Sequence, residues 1–184
     1  MELSEGRGNT VKKNILLTSL LFLIVLASRL LPHPANFSPI SILLIFIPVF
    51  FQQHSKQLLM TSLLALLFSD IVLGFHTTMP YVYASYFLIW IAGRYAAKLK
   101  ETFTFFTVPL FTGMLFYVIT NFGVWATTTM YPRTVAGLFE SYWMAIPFLK
   151  MTVLGDIFFF SVFYATALLL QSNSSQSVRR LEVI

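Results

Sequence analysis

Four ionisable side chains, Arg29, Asp70, Lys150 and Asp156, stand in or at the ends of long apolar runs. On insertion scales a charge at the centre of a lipid-facing helix costs about 2.5–3.5 kcal/mol, so such groups face a bundle interior or a water-filled cavity. Groups suited to hydrogen bonding lie around them. His33 and Asn36 fall between Pro32 and Pro39, and His76 lies in the stretch before Met79 and Pro80. Tyr83, Tyr86 and Trp90 recur at i, i+3 and i+7, and Tyr117, Asn121 and Trp125 at i, i+4 and i+8. Each set therefore shares one face of a helix. Arg133 follows Tyr131 and Pro132 in a later connection. These residue types suit noncovalent recognition. The candidate site is Arg29, His33, Asn36, Asp70, His76, Tyr83, Asn121, Trp125, Arg133 and Asp156.

Imidazole and carboxylate can together hold zinc, which would make His33, His76 and Asp70 the centre of a metal-dependent membrane enzyme. No His-Glu-x-x-His, Gly-x-Ser-x-Gly or phosphate-binding glycine loop occurs, so the reading taken has no catalytic residue, metal or cofactor. Packing roles compete at each position. Tyr and Trp collect at membrane interfaces in any case, and either histidine can bond loop backbone. Arg29 with Asp70, or Lys150 with a carboxylate elsewhere, can be an ion pair that locks helices. Lys150 and Asp156 are six apart and do not share a face, so a partner for Asp156 must come from another span.

The elements that position these groups follow from composition. Of 184 residues, 57% are hydrophobic and 10% charged, where a soluble domain carries about 25% charged residues. Mean hydropathy is +0.77. The chain lacks the polar surface to coat a water-facing domain, and its apolar content is the reverse of the disordered signature. The formal charge of +5 rests on only 12 Lys and Arg without a dense patch, so nucleic acid is excluded as a partner. Cysteine is absent, which removes disulfides and thiolate chemistry.

A helix needs about 20 apolar residues to cross roughly 30 Å of hydrocarbon. Apolar runs between polar breaks predict six spans: Asn14 to Leu31, a short one from Pro39 to Phe51, Gln57 to Phe75, Met79 to Ala97, Phe103 to Thr127, and Pro147 to Gln171. Continuous rather than alternating runs predict an all-α membrane bundle, not a barrel. Pro32, Pro34 and Pro39 predict an extended turn after the first span, and Val135 to Ile146 a short interfacial helix. Six spans place both termini on one side, together with Arg7, Lys12, Lys13, Lys56, Arg94, Lys98, Lys100, Arg179 and Arg180, nine of the twelve cations. By the positive-inside rule that side is the cytoplasm. A cleaved leader, with Lys12 and Lys13 before an Ile15–Leu26 core, is the competing reading; it leaves five spans and fits the charges less well. The expected organisation is a cytoplasmic segment over 1–13, a membrane domain over 14–171 and a flexible cytoplasmic tail over 172–184. Arg29, Asp70, Lys150 and Asp156 then all fall in the outer half, Asp70 about 8 Å and Asp156 about 14 Å below the outer ends of their spans.

The runs Arg29-Leu-Leu-Pro-His-Pro-Ala-Asn-Phe-Ser-Pro39, Ser69-Asp-Ile-Val-Leu-Gly-Phe-His76, Asn121-Phe-Gly-Val-Trp125 and Gly155-Asp156 resemble a family of small bacterial inner-membrane proteins. That family is similar to the substrate-binding S components of energy-coupling factor vitamin transporters. The resemblance implies a six-helix bundle that takes up a vitamin or other small nutrient from the outer side, with an energising transporter module as partner. The Ala-x-x-x-Ala docking pattern of many S components is absent from the first span; Ala92 and Ala96 in the fourth are the nearest pair. A solitary carrier like the cobalamin-specific relatives is the variant this departure implies, with His33 or His76 as the corrinoid-cobalt ligand. The expected function is solute binding and uptake rather than catalysis. A metal-dependent enzyme and a scaffold for another membrane protein are the alternatives.

Overall fold

The structure, a computed structural model, describes the backbone over residues 2–96 and 101–181 and side chains over 15–95 and 107–166. Seven α-helices make up the described fold: α1 (Glu2–Leu30), α2 (Ile40–Phe50), α3 (Ser55–Leu73), α4 (Met79–Ala96), α5 (Glu101–Thr127), α6 (Val135–Met144) and α7 (Ile146–Leu181). One 3-10 turn, Gln52–His54, joins α2 to α3. No strand occurs among the described residues.

Helix ends follow local chemistry. Pro32 removes a backbone donor and pushes Leu31 out of the helical region, and α1 stops at Leu30. Between the prolines the Phe37 N–H donates to the Pro34 carbonyl at 3.0 Å, closing a turn in which Asn36 has φ 63°. Asn is among the few residues that tolerate this left-handed geometry. Gly74, at φ 98°, ends α3 two residues before the Phe75 expected from the apolar run. Thr134 caps α6 by accepting from the Gly137 N–H at 3.1 Å.

The short α2 is the hub. It is apolar all round, a pattern that demands burial on every side, and Ile40, Ser41, Ile42, Leu44, Ile45, Ile47 and Pro48 are buried. It packs against α3, α4, α5 and α7. Its 11 residues rise about 16 Å, half the hydrocarbon thickness. The loop before α2 therefore dips into the bundle: the Phe37 ring packs, tilted, against Phe158 and Phe159 of α7.

Polarity runs inside out. Ser62, Ser69, Asp70, Ser85, Thr112, Ser141, Thr152 and Asp156 are buried. Meanwhile Leu64, Leu67, Phe68 and Ile71 of α3, Leu110, Phe111, Met114 and Val118 of α5, and Leu154, Ile157, Phe158 and Val162 of α7 are exposed. Apolar stripes of this extent on several helices fit hydrocarbon, not water. Gln52–Leu73, Thr107–Thr127 and Ile146–Thr166 are long and apolar enough to cross a membrane, with shorter apolar helices at Ile15–Leu30 and Ile40–Phe50. This is a helical membrane protein.

One end of the bundle carries Arg29 and Asp70; the other carries Lys56 and Arg94, where the Trp90 indole donates to Ser55 Oγ at 3.0 Å and Arg94 stacks over Trp90. The helix α7 continues to Leu181, through the segment expected as a tail after Gln171. Of the remaining basic residues used for orientation, Lys98 and Lys100 lie outside the described residues, as do the side chains of Arg7, Lys12, Lys13, Arg179 and Arg180.

Candidate functional site

Asp70 sits one turn before the end of α3 and is 2% exposed. A buried carboxylate needs a charge partner and donors for its remaining lone pairs. Both are present, from two other helices. The Arg29 Nη2 of α1 donates to Asp70 Oδ1 in an ion pair, and the Tyr83 hydroxyl of α4 donates to Oδ2 at 2.8 Å. Arg29 Nε also reaches Ser69 Oγ at 3.2 Å, while that hydroxyl donates to the Leu66 carbonyl at 2.7 Å. The guanidinium thus holds the two polar residues of one α3 turn. Its side chain is 27% exposed, so it connects the buried carboxylate to the bundle surface.

A second carboxylate lies deeper. Asp156 of α7 is 1% exposed, and its Oδ2 is 2.7 Å from Thr112 Oγ1 of α5. The partner comes from another span, as the helical spacing requires. Tyr86, one turn beyond Tyr83 on α4, is buried against Phe116. Its phenol stands within electrostatic reach of Arg29, Asp70 and Asp156 alike. Five helices therefore send polar side chains toward one interior region beside α2.

The other expected site residues make local contacts. His33 is exposed, its Nδ1 2.8 Å from the Pro34 carbonyl, and His76 is exposed with Nδ1 2.8 Å from Thr78 Oγ1. Asn36 supplies the left-handed turn position and is exposed. Asn121 donates to the Tyr117 carbonyl of its own helix at 2.9 Å. Trp125 donates its indole N–H to the Pro132 carbonyl at 2.9 Å, and Arg133 donates to the Thr128 carbonyl at 3.0 Å while stacking over Trp125. These last two side chains hold the turn between α5 and α6. Lys150 is exposed. Among the described residues no three His, Asp or Glu side chains gather to hold a metal, so His33, His76 and Asp70 do not form a set.

The helix α6 is tied to α5 by reciprocal phenols. Tyr117 donates to the Tyr142 carbonyl at 2.6 Å, and Tyr142 donates to the Val118 carbonyl at 2.9 Å. Burial, with Tyr117 beside it, pushes the Tyr142 phenol above its ordinary value.

Ser69, Tyr86 and Thr112 complete the cluster and were not among the residues expected from the sequence. Tyr86 had a signal, its place on the Tyr83–Trp90 stripe. Thr112 had none beyond being a hydroxyl in an apolar run, where such residues commonly bond their own helix.

No curated protein and no solved structure matches the chain. The profile of a family of unknown function, DUF6580, matches residues 9–178, and the chain belongs to that family.

Proposed function

We propose that this protein is a solute-binding and uptake component of a bacterial inner membrane, with six spans and both termini in the cytoplasm. The observation that carries this reading is the buried Asp70 carboxylate, held by Arg29 and Tyr83 from two other helices, with Tyr86 and Asp156 in the same interior. Small-molecule sites pair apolar walls with a few convergent polar groups, and they form between the helices of bundles. Arg29, partly exposed at the end opposite Lys56 and Arg94, supports approach of the solute from the outer side. The likeness to vitamin-transporter S components supports a vitamin or other small nutrient as cargo.

The test is native mass spectrometry of the gently extracted protein. A small molecule retained by the wild type and lost from an inserted, folded Asp70→Asn variant is the expected result. The charge-swapped Arg29→Asp/Asp70→Arg pair separates binding from packing. A pair that only locks helices is repaired by the swap, whereas a binding site stays empty. Retention of the same molecule by Asp70→Asn overturns the reading.

A further inference from the structure

Among the described residues, Asp156 Oδ1 is the one buried side-chain nitrogen or oxygen without a hydrogen-bond partner. The other oxygen poses a counting problem. Thr112 Oγ1 lies 2.7 Å from Asp156 Oδ2, 3.0 Å from the Val108 carbonyl and 3.1 Å from the Pro109 carbonyl. A threonine hydroxyl owns one hydrogen, and neither carbonyl can supply another. If that hydrogen goes to Asp156, both helix carbonyls face the hydroxyl oxygen with nothing between. If it goes to the carbonyls, the 2.7 Å contact, at the usual length of an O–H···O bond, has no hydrogen. One hydrogen cannot serve the carboxyl contact and the helix carbonyls at once. A hydrogen on Asp156 Oδ2 completes them: the carboxyl donates to Thr112 Oγ1, and Thr112 donates back to its own helix.

The charges around the carboxyl agree with this count. From α5 come Thr112 and, further toward the Arg29 end, Tyr117; α2 carries no titratable residue. The α6 helix brings Glu140, which is exposed, and Tyr142, bonded to Val118. Tyr86 approaches from α4, Lys150 of α7 is exposed, and Arg29 is engaged by Asp70. No cation among the described residues neutralises Asp156, and an uncompensated buried charge costs several kcal/mol.

We propose that Asp156 is a proton-binding site, with Thr112 as the acceptor of its proton. Tyr86 lies within electrostatic reach of both Asp156 and the Arg29–Asp70 pair. The proton therefore sets the net charge of the interior region. With it the three ionisable groups sum to zero; without it they carry one negative charge. Binding or release of this proton would switch the interior between preferring a neutral occupant and preferring a cation.

Infrared spectroscopy of the whole protein in lipid vesicles at pH 7 tests this without any solute. The expected spectrum contains the carbonyl stretch of a protonated carboxyl, lost in Asp156→Asn, retained in Asp70→Asn and shifted in Thr112→Val. Absence of the band from the native protein overturns the proposal, as does its loss in Asp70→Asn or its survival in Asp156→Asn. Should Asp156→Asn fail to insert, the native spectrum and Thr112→Val still decide, because an unmoved band in the latter removes Thr112 as the partner. The result does not depend on whether a solute is found, so its failure leaves the retention experiment on Asp70 standing.

Discussion

Gly155 of α7 lies against the backbone of Phe37: a Cβ on Gly155 would stand 3.2 Å from Phe37 Cα and 3.3 Å from Ser38 N. Gly155 is nine residues along α7, about 14 Å from its start at Ile146. The loop from Leu31 to Pro39 therefore descends well into the bundle before α2 begins. A glycine in a helix interior costs up to about 1 kcal/mol relative to alanine, and here that cost admits the loop. Gly155→Ala exchanges the propensity gain against a shift of a few tenths of an ångström, and its net effect is expected within about 1 kcal/mol of zero. Gly155→Leu has no such room and is expected to destabilise by about 1–3 kcal/mol, as overpacking does. Thermal unfolding of the two variants in the same detergent checks the ordering.

The Asp70 contacts predict unequal losses. Tyr83→Phe removes one hydrogen bond to a charged group and leaves Asp70 Oδ2 bare, for a loss of about 1.5–3 kcal/mol. Asp70→Ala strips the partner from Arg29. Breaking a fully buried pair costs about 3–5 kcal/mol, but the Arg29 side chain is 27% exposed and can turn to water, so the low end or below is expected. Arg29→Ala is the harsher change, because it strands a carboxylate that is 2% exposed. Unfolding midpoints should fall in the order Tyr83→Phe, Asp70→Ala, Arg29→Ala, the last being lowest.

Trp125 and Arg133 are expected to be dispensable for solute retention. Each donates to a turn carbonyl, Trp125 to that of Pro132 and Arg133 to that of Thr128. Their stacking is a cation–π contact at the protein edge, worth about 0.5–1 kcal/mol at an exposed site. Arg133→Gln should lower stability by about that amount and leave any retained molecule in native mass spectra unchanged. Loss of the molecule in Arg133→Gln would move the site out of the bundle interior and onto this turn.

What the sequence made legible was depth, and what it hid was azimuth. Apolar run lengths located α2 to α5 within two residues at each end, whereas α1 begins well before Asn14 and α7 runs past Gln171 to Leu181; the polar breaks placed Arg29 and Asp70 toward the same end, close enough to name them as a pair. Asp156 could be assigned a partner on another helix, because Lys150 is off its face. Which helix supplied it could not be read, since a 3.6-residue period says which residues share a face but not which neighbour that face meets. Thr112 and Tyr86 entered the site only through the packing around α2. The same limit applies to the other expected site residues. Asn121, Trp125 and Arg133 are polar and at the right end, yet each donates to a nearby carbonyl, of Tyr117, Pro132 and Thr128 respectively. His33 and Asn36 likewise serve the turn that lets the loop descend.

The helix α6 offers the last prediction. Val135, Phe139 and Trp143 are spaced by four, share one face, and are 72%, 70% and 73% exposed. Gly137 and Ser141, on the opposite side, are buried, and α6 is held to α5 by the Tyr117 and Tyr142 phenols. Three large apolar side chains on one unpartnered stripe, beside spans whose outer faces are also apolar, belong in the boundary between headgroups and acyl chains. Trp143 should therefore report lipid contact. In vesicles containing brominated lipid, the wild type should lose more fluorescence than Trp143→Phe, since Trp90 is buried and Trp125 is half-buried with its indole N–H on Pro132. The quenching should be strongest with bromines near the headgroup and weaker with bromines deep in the chains. Equal quenching of wild type and Trp143→Phe would lift α6 out of the membrane, and with it the assignment of the Val135 stripe to the lipid boundary.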